Sequence, residues 1–174
     1  MTPSRISERR RHSAWTGWRL TLVIAGFLVF VAVVFAVFVR SADADYRGEE
    51  RSAIARAKQE AGLTEIEGAS KHVWEESVWV VRGKDAAATE WFVWLREDGS
   101  VKEKAEDGLD EAAAAARFQA DHPGKKIVRQ LPGWFAGQPA WEIRYIDDPA
   151  SKRQAILFYS FKDGSQLKTY SLIG

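Results

Sequence analysis

The chain predicts an α+β protein behind one membrane helix: two successive modules, each a helix packed on a three- or four-stranded antiparallel sheet. Three observations predict it. Leu20 to Val39 is a run of twenty residues without a charged side chain. A weak internal repeat follows, with Gly62 and Gly124, and then Trp79 and Trp141, each pair 62 residues apart. Within each copy a helix pattern precedes short strands joined by tight turns such as Asp98-Gly99 and Asp163-Gly164. Hairpin-linked strands pair antiparallel and bury one face against a helix.

The apolar run comes first. About twenty residues at ~1.5 Å rise span the ~30 Å hydrocarbon layer of a bilayer. Before it lie Arg5, Arg9, Arg10, Arg11 and Arg19 against Glu8; after it come Arg40, Asp43, Asp45, Glu49 and Glu50. Positive flanks stay cytoplasmic, so the N-terminus is expected inside and the C-terminal bulk outside. Trp15 and Trp18 precede the run, where amphipathic rings favour the headgroup level. Ala42-Asp43-Ala44 imitates a signal-peptidase site. The run nevertheless exceeds the ~7–15 residues of a signal h-region. Arg40 also separates it from that site. An uncleaved anchor is expected. The divisions that follow are a cytoplasmic basic arm 1–19, a membrane helix 20–39, a linker 40–46, a first module 47–106 and a second module 107–174.

Charge is polarised along the chain. Residues 1–40 carry six Arg and one Glu, a net of +5. Residues 41–174 carry 19 Lys and Arg against 23 Asp and Glu, a net of −4. A mildly acidic outer region argues against nucleic acid, whose phosphates need basic neutralisation. The absence of Cys removes disulfides, thiolate chemistry and Cys-based metal sites. That composition suits a bacterial exported domain held by its core alone.

In the first module, Ser52-Ala53-Ile54-Ala55-Arg56-Ala57-Lys58 reads as helix, stopped by Gly62. Strands follow at Ile66 to Trp74, Ser77 to Arg82, Glu90 to Arg96 and Val101 to Lys104, turning at Glu75-Glu76 and Asp98-Gly99. In the second, Asp110 is a helix N-cap before an alanine run of high helix propensity, which ends near Pro123-Gly124. Ile127-Val128 begins a strand, and Gly137-Gln138-Pro139 turns it. Ala140 to Ile146, Ala155 to Phe161 and Gln166 to Leu172 complete the sheet. The Asp-Gly turns recur at 65 rather than 62 residues, which a longer loop at Asp147-Asp148-Pro149-Ala150-Ser151 accounts for. Ordered features at nearly one period indicate duplication.

Trp91, Val93 and Leu95 point to one side of their strand, and Phe92 and Trp94 to the other. A sheet facing water would be polar on one side. Two apolar faces need two covers. The helix supplies one; the sister module, or less readily a partner, supplies the other.

No catalytic residue, cofactor site or metal site is expected. His12 lies in the basic arm expected inside the cell; His72 and His122 are isolated, without H-x-x-x-H spacing, and each is expected at the surface. The acid pairs Glu75-Glu76 and Asp147-Asp148 fall in predicted turns, where carboxylates are solvated rather than held in a shielded pocket. Asp147-Asp148-Pro149 lacks the ligand count and glycine of a calcium loop. Leu131-Pro132-Gly133-Trp134-Phe135-Ala136-Gly137 is different, because two large aromatics border a Gly-rich hairpin. Trp is enriched in the centres of interfaces. Trp134 and Phe135 are therefore the first candidates for partner contact, with Phe92 and Trp94 behind them. The alternative is that the two hairpin rings close the end of the sheet.

Four segments carry a family resemblance: Ala53-x-x-x-Ala57-Lys58 with Gly62-Leu63, Val78 to Asp85, Phe92-Val93-Trp94-Leu95, and Pro139 to Tyr145. In this order behind one anchor they resemble the TseB-like (YpmB-like) cell-wall elongation regulators of Gram-positive bacteria. The resemblance implies tandem cystatin-like or PepSY-like domains and no enzymatic activity. It implies a single-pass membrane protein with its domains outside, whose partner is a class B penicillin-binding transpeptidase or another membrane or cell-wall protein. No small-molecule substrate is expected. A second functional class stays open, an extracytoplasmic PepSY-type peptidase inhibitor or propeptide-like chaperone. The first predicts co-purification with a transpeptidase, the second inhibition of a secreted protease.

Overall fold

The apolar run is helical. Leu20–Phe38 is long and apolar enough to cross a membrane, and its side chains are exposed. This is compatible with a single-pass anchor. The computed structural model describes residues 11–172; residues 1–10 of the expected basic arm, and the last two residues of the second module, lie outside them. Helix α1 spans Arg11–Ala61. Residues 40–46, expected as a linker, are helical as part of it. The first glycine after the anchor is Gly48 and the region holds no proline, so nothing local interrupts helix geometry there.

Eight strands and a second helix follow: β1 Leu63–Val73, β2 Ser77–Asp85, β3 Glu90–Arg96, β4 Gly99–Lys104, α2 Glu111–Asp121, β5 Lys126–Phe135, β6 Gln138–Asp148, β7 Arg153–Ser160 and β8 Gln166–Ser171. They form two antiparallel four-stranded sheets, ordered β1-β2-β3-β4 and β5-β6-β7-β8. Gly62 and Gly124 both take a left-handed φ, 70° and 76°, at the ends of the two helix segments. Asp110 caps α2, its carboxylate accepting from the Ala113 amide at 2.6 Å.

Trp79 and Trp141 occupy equivalent places. Each lies on the second strand of its sheet, paired to Leu95 and Tyr159 on the third. Each also shares a core cluster with the helix of its own module. Ala53, Ala57 and Ala61 recur every four residues on α1 and meet Trp79, Val81, Val93 and Leu95. Ala114 and Phe118 of α2 meet Trp141, Ile143, Tyr145, Ala155 and Leu157.

The other face of the first sheet is covered by α2 and the second sheet. Val78, Val80, Phe92 and Trp94 join the same cluster as α2 and the β6–β7 face. The expected mutual packing is thus present, and Gly48–Gly174 forms one compact unit.

The hairpin also differs from expectation: its turn, expected at Gly137-Gln138-Pro139, is Ala136-Gly137, with φ values of 51° and 77°, and Leu131 to Phe135 is the second half of β5. Pro132 is tolerated because β5 lies at the sheet edge.

Candidate functional site

The four aromatic candidates converge on the junction between the sheets, and all four are buried. Trp94 donates its indole N–H to the Gly133 carbonyl at 2.7 Å. Its ring lies 4.9 Å from Phe161, edge to face. Phe92 packs against Trp141 and Phe161. Trp134 is 4% exposed and lies under the Arg96 guanidinium, 4.4 Å from its ring. Phe135 stacks on Phe158 with centroids 4.3 Å apart and planes 9° from parallel.

The expectation that Trp134 and Phe135 stand exposed is therefore corrected. Strand alternation turns Trp134 into the main core, while Phe135 joins Phe158, Ala140 and Ile156 on the opposite face, beside Trp74. The rings close the junction of two sheets rather than the tip of a hairpin. Direct partner contact through them would require that junction to open.

The expectation of a surface His72 is also corrected. His72 is the last but one residue of β1 and is 2% exposed, as is Glu142 on β6. Its Nδ1 accepts from the Trp134 amide at 3.3 Å, so Nε2 carries the hydrogen donated to Glu142 Oε2 at 3.1 Å. Arg129 of β5 donates to the other carboxylate oxygen at 2.5 Å. Burial pushes the Glu142 carboxyl up, but the hydrogen bonds from His72 and Arg129 outweigh it and hold the group below its ordinary value. Gly133 makes room for the ring, since a Cβ there would lie 2.5 Å from His72 Cδ2.

His122 behaves differently. It is half-buried, stacked on Tyr145, and its Nε2 lacks a hydrogen-bond partner among the described residues.

The paired acids are engaged in local structure, and Asp147 and Asp148, expected in a turn, are the last two residues of β6. Glu75 accepts from the Ala136 amide at 2.9 Å and Glu76 from Arg96 at 2.9 Å. Asp147 pairs with Lys125 and Arg153, which hold its carboxyl below the usual range. Asp148 accepts from the Ala150 amide and Ser151 hydroxyl. Two clefts open at the surface. One of about 180 Å³ reaches Arg82, Glu111 and Trp141; one of about 620 Å³ lies between Arg56, Trp79 and Arg96. Their arginines are committed, Arg82 to Glu67 and Glu90, Arg56 to Glu60, and Arg96 to Glu76 and Asp98. Among the described residues, no three His, Asp or Glu side chains are grouped as metal ligands would be.

His72, Glu142 and Arg129 escape a reading of the sequence. A signal for one of them is nevertheless there. Glu142 stands between the apolar Trp141 and Ile143 on an inner strand, and a buried carboxylate demands a donor. One of its two donors, His72, is 70 residues away and leaves no local trace.

These features define a class: an α+β chain with one apolar helix long enough to cross a membrane and two helix-backed antiparallel sheets joined through a buried aromatic and polar junction. Comparison narrows it. Residues 52–96 match the family described as "Cell wall elongation regulator TseB-like domain". The chain is 25% identical over 151 residues to the "Probable cell wall elongation regulator TseB" of Bacillus subtilis (strain 168), covering 85% of this chain and 92% of that protein. The solved structure of the YpmB protein from Bacillus subtilis superposes with a TM-score of 0.65 at 24% identity, over 71% of this chain and 97% of that one. The last likeness bears on the fold. The chain resembles the TseB-like regulators, as its motifs implied, and three of the four motif segments fall inside the matched region 52–96.

Proposed function

We propose that this chain is a membrane-anchored, extracytoplasmic, non-enzymatic binding module that regulates cell-wall elongation by contact with a class B penicillin-binding protein. The observation that carries the reading is its 25% identity, over most of both chains, to a protein named as a probable elongation regulator. In this reading the N-terminal arm is cytoplasmic, because the arginines precede the apolar run and the acids follow it. The outer region works in a Gram-positive envelope as two cystatin-like or PepSY-like modules, residues 47–106 and 107–174. The repeated order of one helix segment and four strands, with Trp79 and Trp141 in matching places, supports that division.

Crosslinking in living cells from exposed positions of both modules, followed by identification of the captured proteins, tests the proposal. A class B penicillin-binding protein should be captured. Capture of a secreted protease instead, together with its inhibition by the purified chain, would replace this reading with the inhibitor one.

A further inference from the structure

The second sheet has one face that no helix covers among the described residues. Helix α2 packs on the side of Ile143, Tyr145, Ala155 and Leu157. The opposite side carries Ala140, Glu142, Arg144 and Ile146 along β6, because side chains alternate. Register extends that face to the neighbours. Arg129 lies directly opposite Arg144, and Lys126 opposite Ile146. Ile156 lies opposite Arg144 and Tyr170, and Phe158 opposite Glu142 and Lys168. One end is roofed by His72 and Trp74, which pack on Phe158. Trp74 also touches Tyr170, with ring centroids 5.2 Å apart, and Arg129, Arg144 and Lys126 lie toward the other end of the face.

The charge of this face runs against that of the rest. It holds the cations Lys126, Arg129, Arg144 and Lys168 and one central carboxylate, Glu142, a net of +3. The outer region as a whole is net −4. Glu142 is 2% exposed and taken up by His72 and Arg129. Asp148, at the end of β6, is turned into its own loop. Among the described residues, Arg144 donates its side chain only to the neutral Gln154 amide oxygen, at 2.6 Å. Among the described residues, neither Lys126, Arg144 nor Lys168 has a carboxylate within ion-pair distance. Two like charges directly opposite on neighbouring strands oppose folding. The fold nevertheless presents them side by side, next to the half-buried Tyr170 and Trp74.

We propose that this face docks an extended acidic segment of a protein partner, its carboxylates on Arg144 and Lys168 and its apolar side chains on Tyr170 and Trp74. Guanidinium groups match carboxylates in a planar fork, and the aromatic neighbours favour a peptide with apolar residues over a purely ionic polymer. The proposal rests on the binding-module reading above, for which it supplies a contact surface.

The test uses the full chain in lipid nanodiscs of zwitterionic lipid. The probe is a fluorescein-labelled peptide alternating Glu with Leu, and binding is read by anisotropy. Binding should weaken as salt is raised. Arg144→Glu with Lys168→Glu should weaken it about tenfold or more. Lys58→Glu with Lys162→Glu, on α1 and in the β7–β8 turn, should leave it unchanged. Unaltered binding by the first pair at an unaltered melting temperature overturns the proposal. So does equal binding of the peptide with Gln in place of Glu. Inorganic polyphosphate that binds as tightly and displaces the peptide overturns it in favour of a phosphate polymer. Self-association abolished by the same pair overturns it in favour of a second copy. In-cell crosslinking separates the two readings. A chain that captures a transpeptidase while the charge-reversed variant still binds peptide normally loses this surface and keeps its function. A chain that captures none but binds peptide through Arg144 and Lys168 keeps the surface and loses the transpeptidase.

Discussion

His72 on β1 and Glu142 on β6 meet at 3.1 Å with both side chains removed from solvent. They tie the two sheets together by a polar contact at the heart of an aromatic junction. A buried carboxylate left without donors is costly, so the pair acts as a condition on assembly as well as a bond. His72→Ala leaves the Trp134 amide and Glu142 Oε2 unpaired and opens a void beside Phe158. It should cost about 3 kcal/mol, read as a shift of the denaturant midpoint at constant slope.

The same carboxyl makes stability depend on acid. Its folded pKa lies below the ordinary 4.5, so near that pH the unfolded chain binds more protons than the folded one. The contribution of Glu142 is complete above the ordinary value and is lost as pH falls through the lower folded value. Melting temperature should therefore decline as pH drops below about 4.5. Glu142→Gln should flatten that limb. An acid limb identical in both proteins would show that other carboxylates carry it.

Gly133 is a second point of specificity. An added methyl would lie 2.5 Å from His72 Cδ2 and 2.6 Å from Nε2, and the ring is held on both sides by Trp134 and Glu142. Gly133→Ala should cost about 1–3 kcal/mol as overpacking. Gly68 lies in β1, where an added Cβ would meet nothing within 4 Å, and its φ is not left-handed. Gly68→Ala should be neutral or mildly stabilising. Thermal unfolding of the two variants side by side distinguishes close approach from general intolerance of alanine.

Trp134 and Phe135 read from the sequence as contact residues, and the structure makes them core. Trp134→Ala with Phe135→Ala should lower the melting temperature by about 10 °C or more, given ~3–5 kcal/mol for each large buried aromatic. An unchanged melting temperature would return the pair to the surface.

What is legible in the sequence is what is local. The pattern predicts a strand at Glu90 to Arg96, and those are the bounds of β3. The Asp110 cap and the two faces of Phe92-Val93-Trp94-Leu95 are as alternation and capping chemistry require. Alternation says which residues share a face, but not what covers it. Trp134 beside glycines and a proline therefore reads as a contact residue of a Gly-rich hairpin, although its cover comes from β1 and β3, far away in sequence. His72 reads as isolated because its partners Trp134 and Glu142 are 62 and 70 residues on. The cationic face is illegible for the same reason. Lys126, Arg129, Arg144 and Lys168 are scattered along an acidic region, and only sheet register gathers them.

The membrane orientation is open to direct measurement. Five arginines precede Leu20 and acids follow Arg40, and the positive-inside rule predicts the cationic flank on the cytoplasmic side. A reporter active only outside the cytoplasm, fused after Gly174, should therefore be active, and the same reporter fused at the N-terminus should be silent. Exchanging Arg5, Arg9, Arg10 and Arg11 for Gln while changing Asp43 and Asp45 to Lys removes the asymmetry without touching the apolar helix Leu20–Phe38. It should send a measurable fraction of the chain in with the opposite orientation, seen as loss of C-terminal reporter activity at constant protein level. Sequencing the N-terminus of the membrane-bound protein separates orientation from processing. A start at or near Met1 with an active C-terminal reporter is the outcome of an anchored, outward-facing chain. A mature form beginning at Asp45 would instead show that the apolar run is removed, and a C-terminal reporter silent in the unaltered chain would reverse the topology.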